Sequence, residues 1–216
     1  MQKINKLGDF TGLAKNYSKY RVGYSKTVLN ILIKSLSKPL TEIDFLDVGA
    51  GTGIWTRMVN QKLTKSSIAI EPNLDMFSEG SNISSDNKDG ILWINASAED
   101  TQRPSESADW LTMASSFHWT NFEKATEEFH RVLKKDGLFT ALWNPRFINS
   151  NPILINIENF LKELKPDMKR VSSGSSGMTA TLMEKLDESK FFDNVFYLES
   201  IHIERITPER YLGLWK

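Results

Sequence analysis

Three glycines at alternate positions, directly after a short apolar run, constrain this chain more than any other feature. Residues 43–48 have the composition of a buried strand, and Gly49, Gly51 and Gly53 follow at once. Residues 54–63 then have the spacing of a helix. A strand, a glycine-rich turn and a helix in this order are typical of a nucleotide site at the carboxyl edge of a parallel sheet, where glycine lets the backbone approach a ligand closely.

The residues around the glycines indicate the kind of ligand. Dinucleotide-binding turns have the spacing G-x-G-x-x-G and direct a helix N-terminus at a pyrophosphate, whereas this turn has the spacing G-x-G-x-G. Asp47 lies two residues before the first glycine. A carboxylate there repels a pyrophosphate and suits a ligand that carries an ammonium group. A tight turn without any ligand is the alternative interpretation.

The turn resembles the first motif, D/E-x-G-x-G-x-G, of the class I S-adenosylmethionine-dependent methyltransferases. Residues 114–120, A-S-S-F-H-W-T, and residues 127–138 resemble a branch of that family that acts on small molecules and includes trans-aconitate methyltransferase-like enzymes. The resemblance covers residues 10–143. It implies an α/β, Rossmann-like methyltransferase fold, with a mostly parallel central sheet and helices on both faces. It also implies S-adenosyl-L-methionine as the cofactor.

Several predicted cofactor contacts lie where strands end. Glu71 ends the second predicted strand, at the distance from the glycines where an acid accepts hydrogen bonds from ribose hydroxyls, and the resemblance gives it the same role. The resemblance assigns Ala98 and Glu99 to the adenine. Met76 either packs against the adenine face or fills the core. The predicted cofactor-binding residues are Asp47, Gly49, Ala50, Gly51, Gly53, Glu71, Pro72, Met76, Ala98, Glu99, Ser116, Tyr20 and Arg21.

On the acceptor side each candidate residue has two possible roles. His118 is either a general base, since imidazole titrates near ~6.5, or a positioning residue. Arg146 either pairs with a carboxylate or phosphate of the acceptor or is a surface arginine. Tyr17, Tyr20 and Arg21 either close over the cofactor, as the resemblance implies, or the tyrosines pack on the sheet. The predicted substrate-binding residues are Tyr17, His118, Trp119, Asn144 and Arg146, and no metal ligand is predicted.

Composition narrows the range of partners. Lys+Arg and Asp+Glu both number 27 in 216 residues, so no basic field attracts nucleic acid. No apolar run reaches the ~18 residues of a membrane span, and the absence of cysteine fits a reducing cytoplasm. We therefore expect a cytoplasmic monomer or homodimer that acts on a small molecule, without nucleic acid or membrane partners.

The expected organisation is a single methyltransferase domain over 1–216. Its parts are an N-terminal lid with helices (1–40), a cofactor-binding core (41–145) and a substrate-side C-terminal edge (146–216). That edge is either truncated or built differently, since no seventh strand is found. Residues 134–137 are expected to close the helix before them, and the serine- and glycine-rich residues 172–177 form a surface loop or a lid. Predicted strands cover 43–48, 67–70, 91–95, 109–114, 138–143 and 196–203; predicted helices cover 25–36, 54–63, 73–77, 122–133, 153–164, 182–186 and 208–215.

The function predicted from these residues is direct displacement of the methyl group of S-adenosylmethionine by a small-molecule acceptor. Two other functions stay open. One is a protein that binds the cofactor without catalysis. The other is an NAD-dependent oxidoreductase, against which the glycine spacing and Asp47 both count.

Overall fold

The computed structural model describes residues 10–167 and 178–215, so the predicted loop or lid at 172–177 lies outside the described residues. Five parallel strands form one sheet in the order β3-β2-β1-β4-β5, which confirms the predicted fold class. The order reverses between β1 and β4, which leaves a crevice at the carboxyl ends of the strands. The strands are β1 (Asp44–Val48), β2 (Ser66–Ile70), β3 (Leu92–Ile94), β4 (Ala108–Ala114) and β5 (Leu133–Leu142).

The helices begin where the sequence supplies a cap. The Ser25 hydroxyl accepts from the N–H of Val28, and the Asn73 side chain accepts from the N–H groups of Asp75 and Met76. The helix predicted over 73–77 is longer than expected and runs to Asn87. The helices are α1 (Ala14–Tyr20), α2 (Lys26–Lys34), α3 (Ile54–Asn60), α4 (Leu74–Asn87), α5 (Phe122–Val132), α6 (Pro152–Leu164), α7 (Met178–Asp187) and α8 (Pro208–Gly213).

Alternate side chains of the central strands fill two separate cores. Phe45 packs with Trp110 against α2 and α3, whereas Leu46 and Val48 pack with Leu111 against α5 on the opposite face. Each of these five side chains is at most 2% exposed. Because successive side chains of a strand point to opposite faces, both faces of the sheet are covered, as a parallel sheet requires.

An ion-pair cluster joins the amino ends of three strands. The ammonium of Lys134 lies 2.7 Å from Asp44 and 2.8 Å from Asp109. Asp44 is the first residue of β1, and Asp109 lies near the start of β4. The predicted helix closure over 134–137 is therefore wrong. Helix α5 ends at Val132, and Leu133 is already extended and starts β5. Lys134 is held by two carboxylates at the sheet edge, so it does not cap the helix.

The segment predicted as a sixth strand, 196–203, has no strand in the structure. Most of its apolar side chains are exposed, including Ile201 at 73% and Ile203 at 87%. The aromatic and β-branched residues there favour a strand, but a strand also needs a neighbouring strand to pair its backbone hydrogen bonds. Within the described residues, β5 pairs with β4 alone.

No helix within residues 10–167 and 178–215 has the length and apolarity to cross a membrane.

Candidate cofactor site

A cleft with a cavity volume of about 210 Å³ lies at the carboxyl edge of the sheet. Its walls come from the glycine turn after β1, the segment after β2, residues 97–99 after β3, and residues 113–116 at the end of β4. An N-terminal segment and the Trp119 region close the remaining side. The cleft therefore lies at the strand-order reversal, where open α/β sheets bind their ligands.

The three glycines of the turn share a left-handed backbone and differ in what surrounds them. All have positive φ, which favours glycine: 66° at Gly49, 59° at Gly51 and 79° at Gly53. A Cβ on Gly49 would lie 2.7 Å from the Cβ of Ser116, and one on Gly53 would lie 2.8 Å from the Trp93 ring. A Cβ on Gly51 would meet nothing within 4 Å. Gly51 is therefore the place where the backbone faces open space in the cleft.

Glu71 directs its carboxylate into the same turn. One oxygen accepts from the N–H of Gly51 at 2.7 Å and the other from the N–H of Asn73 at 2.8 Å. Glu71 is only 6% exposed, and this burial raises its pKa, while the two N–H groups oppose the rise. Each carboxylate oxygen has two lone-pair positions, so both oxygens keep capacity to accept another donor.

Asp47 lies under the turn and does not line the cleft. It is fully buried. Its oxygens accept from the hydroxyl of Thr56 in α3 at 2.6 Å and from that of Thr112 in β4 at 2.9 Å. Burial raises its pKa to about 7, and the charge of Glu71 adds to the rise. Asp47 thus connects β1, α3 and β4 directly below the glycines.

The residues predicted on the adenine side line the cleft. Met76 and Ala98 are buried and line the cleft together with Pro72 and Glu99. One oxygen of Glu99 accepts from the N–H of Asn121, the N-cap of α5, at 2.8 Å. Ala50 and Ser116 also line the cleft.

Three aromatic side chains form what we call the aromatic rim: Phe10, Tyr17 and Trp119. The Phe10 ring centroid lies 6.2 Å from that of Tyr17 and 6.4 Å from that of Trp119, both edge to face. Tyr17 and Trp119 were predicted on the substrate side. Phe10 was missed because its position depends on contacts with residues far along the chain.

Tyr24 is a second lining residue that sequence reasoning missed. Its ring is buried and its hydroxyl lies 3.1 Å from the hydroxyl of Ser115. Burial strongly raises the pKa of Tyr24, so the phenol stays protonated at neutral pH. No spacing rule identifies Tyr24, which lies just before the cap of α2.

His118 lies outside the cleft lining. Its Nδ1 accepts from the indole N–H of Trp143 at 3.2 Å, and its ring contacts that of Trp119 at a tilt of 44°, with centroids 4.3 Å apart. Burial lowers the pKa of His118, which favours the neutral ring. The structure thus places His118 behind the aromatic rim, in contact with Trp119.

Other predicted residues lie outside the lining, at contacts with the C-terminal part. The side-chain amide of Asn144 donates to the carbonyl of Gly23 at 2.7 Å, and its oxygen lies 3.0 Å from Nε2 of His202. The Arg146 guanidinium lies over the rings of Tyr211 and Trp215. Gly53, the N-cap of α3, is also outside the lining.

Tyr20 and Arg21 do not line the cleft either. The Arg210 guanidinium of α8 donates to their two backbone carbonyls, at 3.1 Å and 3.0 Å. The Arg21 guanidinium lies 5.7 Å from the centroid of the Tyr17 ring. These contacts attach α8 to the end of α1 and position Tyr17 at the cleft.

Comparison with known proteins agrees with this geometry. Residues 46–141 match a family model described as a methyltransferase domain. A probable S-adenosylmethionine-dependent methyltransferase of Saccharomyces cerevisiae, CRG1, is 30% identical over 141 residues, 62% of this chain and 47% of that protein. The uncharacterized methyltransferase YcgJ of Bacillus subtilis is 27% identical over 169 residues, 76% of this chain and 65% of that protein. The chain spans about half the length of the first curated relatives it matches.

A solved structure from Methanococcus maripaludis, described as a putative S-adenosyl-L-methionine-dependent methyltransferase, has the same fold. Its TM-score is 0.53 at 18% identity, and the match covers 76% of each chain. Residues 46–141 therefore match a methyltransferase domain, and the relatives that the chain resembles include a probable S-adenosylmethionine-dependent methyltransferase. These likenesses support the predicted class and its cofactor, S-adenosyl-L-methionine.

Proposed function

We propose that the cleft binds S-adenosyl-L-methionine and that the protein transfers the methyl group to a small-molecule acceptor. The observation that carries this proposal is the pairing of Glu71 with Gly51 inside a cleft at the strand-order reversal. When bound, S-adenosylmethionine supplies a methyl group on a sulfonium, which an acceptor takes by direct displacement. The protein then has to bind the two reactants, align them and exclude water from the cleft.

The residues present fit the ribose of this cofactor. The Glu71 carboxylate is fixed by two backbone N–H groups at 2.7 Å and 2.8 Å, so it is already oriented before any ligand arrives. Its remaining lone pairs are suited to accept from two neighbouring hydroxyls. In our proposal Glu71 holds the ribose and Gly51 provides the room for it.

The adenine and the methionine part of the cofactor are assigned from the residues that line the cleft on either side of Glu71. Ala98 and Glu99, with Met76 buried beside them, are the proposed contacts of the adenine. The backbone of Gly49, Ala50 and Gly51 is the proposed contact of the methionine part. Asp47 supports this turn from below through its two threonine donors, and we propose for it a positioning role rather than direct contact.

The acceptor is proposed to enter between the aromatic rim and Ser115. Charge composition supports a small molecule, since the chain has equal numbers of acidic and basic residues and no excess positive charge for a polyanion. His118 is proposed to position Trp119, because its ring nitrogen faces Trp143 and its ring faces Trp119.

The first test is calorimetric titration with S-adenosylhomocysteine, the demethylated product. We expect one saturable site. Glu71→Gln should weaken binding by about thirtyfold, because a charge-assisted acceptor is lost and an amide N–H₂ opposes a backbone N–H. Glu127→Gln, an exposed glutamate on α5, is the matched control and should bind as the native protein does.

Equal affinity of Glu71→Gln and the native protein would contradict the ribose assignment. Methyl transfer is tested separately, by measuring the formation of S-adenosylhomocysteine from S-adenosylmethionine. The acceptors offered are a small-molecule fraction, a protein fraction and a nucleic acid fraction. The proposal expects turnover with the small-molecule fraction. Turnover confined to the nucleic acid fraction would contradict it.

A further inference from the structure

From the lining of the cleft we infer the class of acceptor: a flat, uncharged nitrogen heterocycle. This inference rests on the proposed function and narrows it. Three observations carry it, and each concerns a different property of the cleft: its charge, its aromatic rim and its proton acceptors.

The charged side chains of the cleft are acidic. Within the described part of the chain, the charged residues that line it are Glu71 and Glu99, and no lysine or arginine does so. An anionic acceptor would lose its hydration beside two carboxylates and gain no counter-ion, which is unfavourable in a partly buried site. The Arg21 guanidinium lies over the Tyr17 ring and outside the lining. A neutral or cationic ligand suits this field.

The aromatic rim supplies surfaces for a flat ring. Phe10 meets Tyr17 at an interplanar angle of 69° and Trp119 at 79°, so ring faces and edges are both presented. Trp119 is 37% exposed, which leaves part of its indole free to contact a ligand. Aromatic rings in offset or edge-to-face arrangements attract each other beyond the effect of the area they bury.

The proton acceptors of the cleft are engaged or unsuited to act as a base. Tyr24 is buried with its hydroxyl against Ser115. Glu71 and Glu99 accept backbone N–H groups, and the proposed function assigns their remaining acceptor capacity to the ribose and the adenine. His118 faces Trp143. An acceptor atom that must first lose a proton is therefore poorly served, whereas a ring nitrogen with a free lone pair needs no base.

The transfer balances without a proton. The nitrogen lone pair forms the new N–CH₃ bond, the S–CH₃ bond breaks, and its electron pair stays on sulfur as a thioether. The positive charge moves from sulfur to the acceptor ring. That cationic ring then lies beside the aromatic rim, which attracts cations through its ring faces, in a cleft whose charged lining is acidic.

The test uses the protein saturated with S-adenosylhomocysteine and measures, by calorimetry at neutral pH, the binding of three probes. These are isoquinoline, its N-methyl cation and isoquinoline-3-carboxylate. We expect the first two to bind at least about tenfold more tightly than the carboxylate. Trp119→Ala should weaken isoquinoline binding about fivefold, and Trp119→Phe should restore most of it. Phe160→Ala, an exposed aromatic on α6, is the matched control.

The outcomes separate this inference from the proposed function. If S-adenosylhomocysteine itself does not bind to the folded native protein, both are overturned. If it binds but the carboxylate probe binds as tightly as isoquinoline, only the acceptor class is overturned. The same holds if isoquinoline binds equally well to Trp119→Ala and to the native protein.

Discussion

Asp44 and Asp47 lie on the same strand but in opposite electrostatic environments. Asp44, at the amino edge, accepts from the ammonium groups of Lys134 at 2.7 Å and Lys65 at 2.9 Å. Asp47, at the carboxyl edge, is fully buried and accepts from two neutral hydroxyls. Partial burial acts to raise the pKa of Asp44, but its lysine partners outweigh it and the pKa falls, whereas burial raises that of Asp47.

The difference shows that the two edges of the sheet serve different purposes. At the amino edge each carboxylate has a cationic partner, so ionisation favours the folded state. At the carboxyl edge an uncompensated buried carboxyl disfavours the folded state once it ionises, and it lies under the turn that faces the cleft. Buried groups with a shifted pKa collect at functional sites.

The largest expected effect concerns the pH dependence caused by Asp47. Its folded-state pKa of about 7 lies above the ordinary value of 3.8, so the folded state binds the proton more tightly than the unfolded state. The stability that this provides is complete below pH ~4 and is lost as pH rises through ~7, on the order of 4 kcal/mol. Asp47→Asn removes this titration.

The measurement is the free energy of unfolding in urea from pH 4 to pH 8. We expect the native protein to lose stability relative to Asp47→Asn as pH rises, with Asp86→Asn, an exposed residue of α4, following the native curve. A constant difference between Asp47→Asn and the native protein across this range would show that Asp47 does not titrate there.

A smaller effect of opposite sign is expected at the amino edge. Lys134 lies between Asp44 and Asp109 and is 29% exposed, so Lys134→Met should cost about 2 kcal/mol at pH 7. Because the pKa of Asp44 and of Asp109 is lowered in the folded state, the stability they provide is present above pH ~4 and lost as pH falls.

The unfolding free energy of Lys134→Met should therefore approach that of the native protein below pH 4. Lys135→Met is the matched control, because the neighbouring lysine is exposed, and it should change stability little at any pH. An equally large loss in Lys135→Met would mean that the ion-pair cluster is not the cause.

Local sequence predicts the carboxyl edge well up to Glu71 and less well beyond. The glycine turn and Glu71 are set by neighbours along the chain: a strand must end, a turn must follow, and an acid at the next strand end faces the same crevice. Strands β1 to β4 were located from the same kind of pattern. Met76 and Ala98 followed from the resemblance and line the cleft.

The aromatic rim and the C-terminal part depend on contacts between distant segments, which spacing does not contain. Phe10 contacts Trp119, which is far from it along the chain, and the direction of His118 is set by Trp143. Residues 196–203 have a strand-like pattern but no strand partner in the described structure. Strand β5 starts at Leu133, earlier than the predicted residue 138. The reason is that Lys134 pairs with acids of other strands, a contact that local spacing does not contain.

The smallest expected effect is measured by comparing alanine substitutions at Gly51 and Gly90. This comparison separates the backbone strain of the glycine turn from the role of the turn in binding. Gly51 and Gly90 both have positive φ, 59° and 74°, and a Cβ on either meets nothing within 4 Å. Alanine at either position should therefore cost about 1 kcal/mol of stability, the penalty for a left-handed backbone. Of these two glycines, Gly51 lines the cleft and Gly90 does not. Gly51→Ala therefore places a methyl group in the space proposed for the cofactor, whereas Gly90→Ala does not.

We expect Gly51→Ala to bind S-adenosylhomocysteine about tenfold more weakly, and Gly90→Ala to bind it as the native protein does. Thermal unfolding checks that the two variants are destabilised alike, and calorimetry measures the affinity. If both variants lost affinity equally, general strain would explain the loss. If neither did, the open space at Gly51 would not be where the cofactor lies, and the functional contrast between the two edges would rest on Glu71 alone.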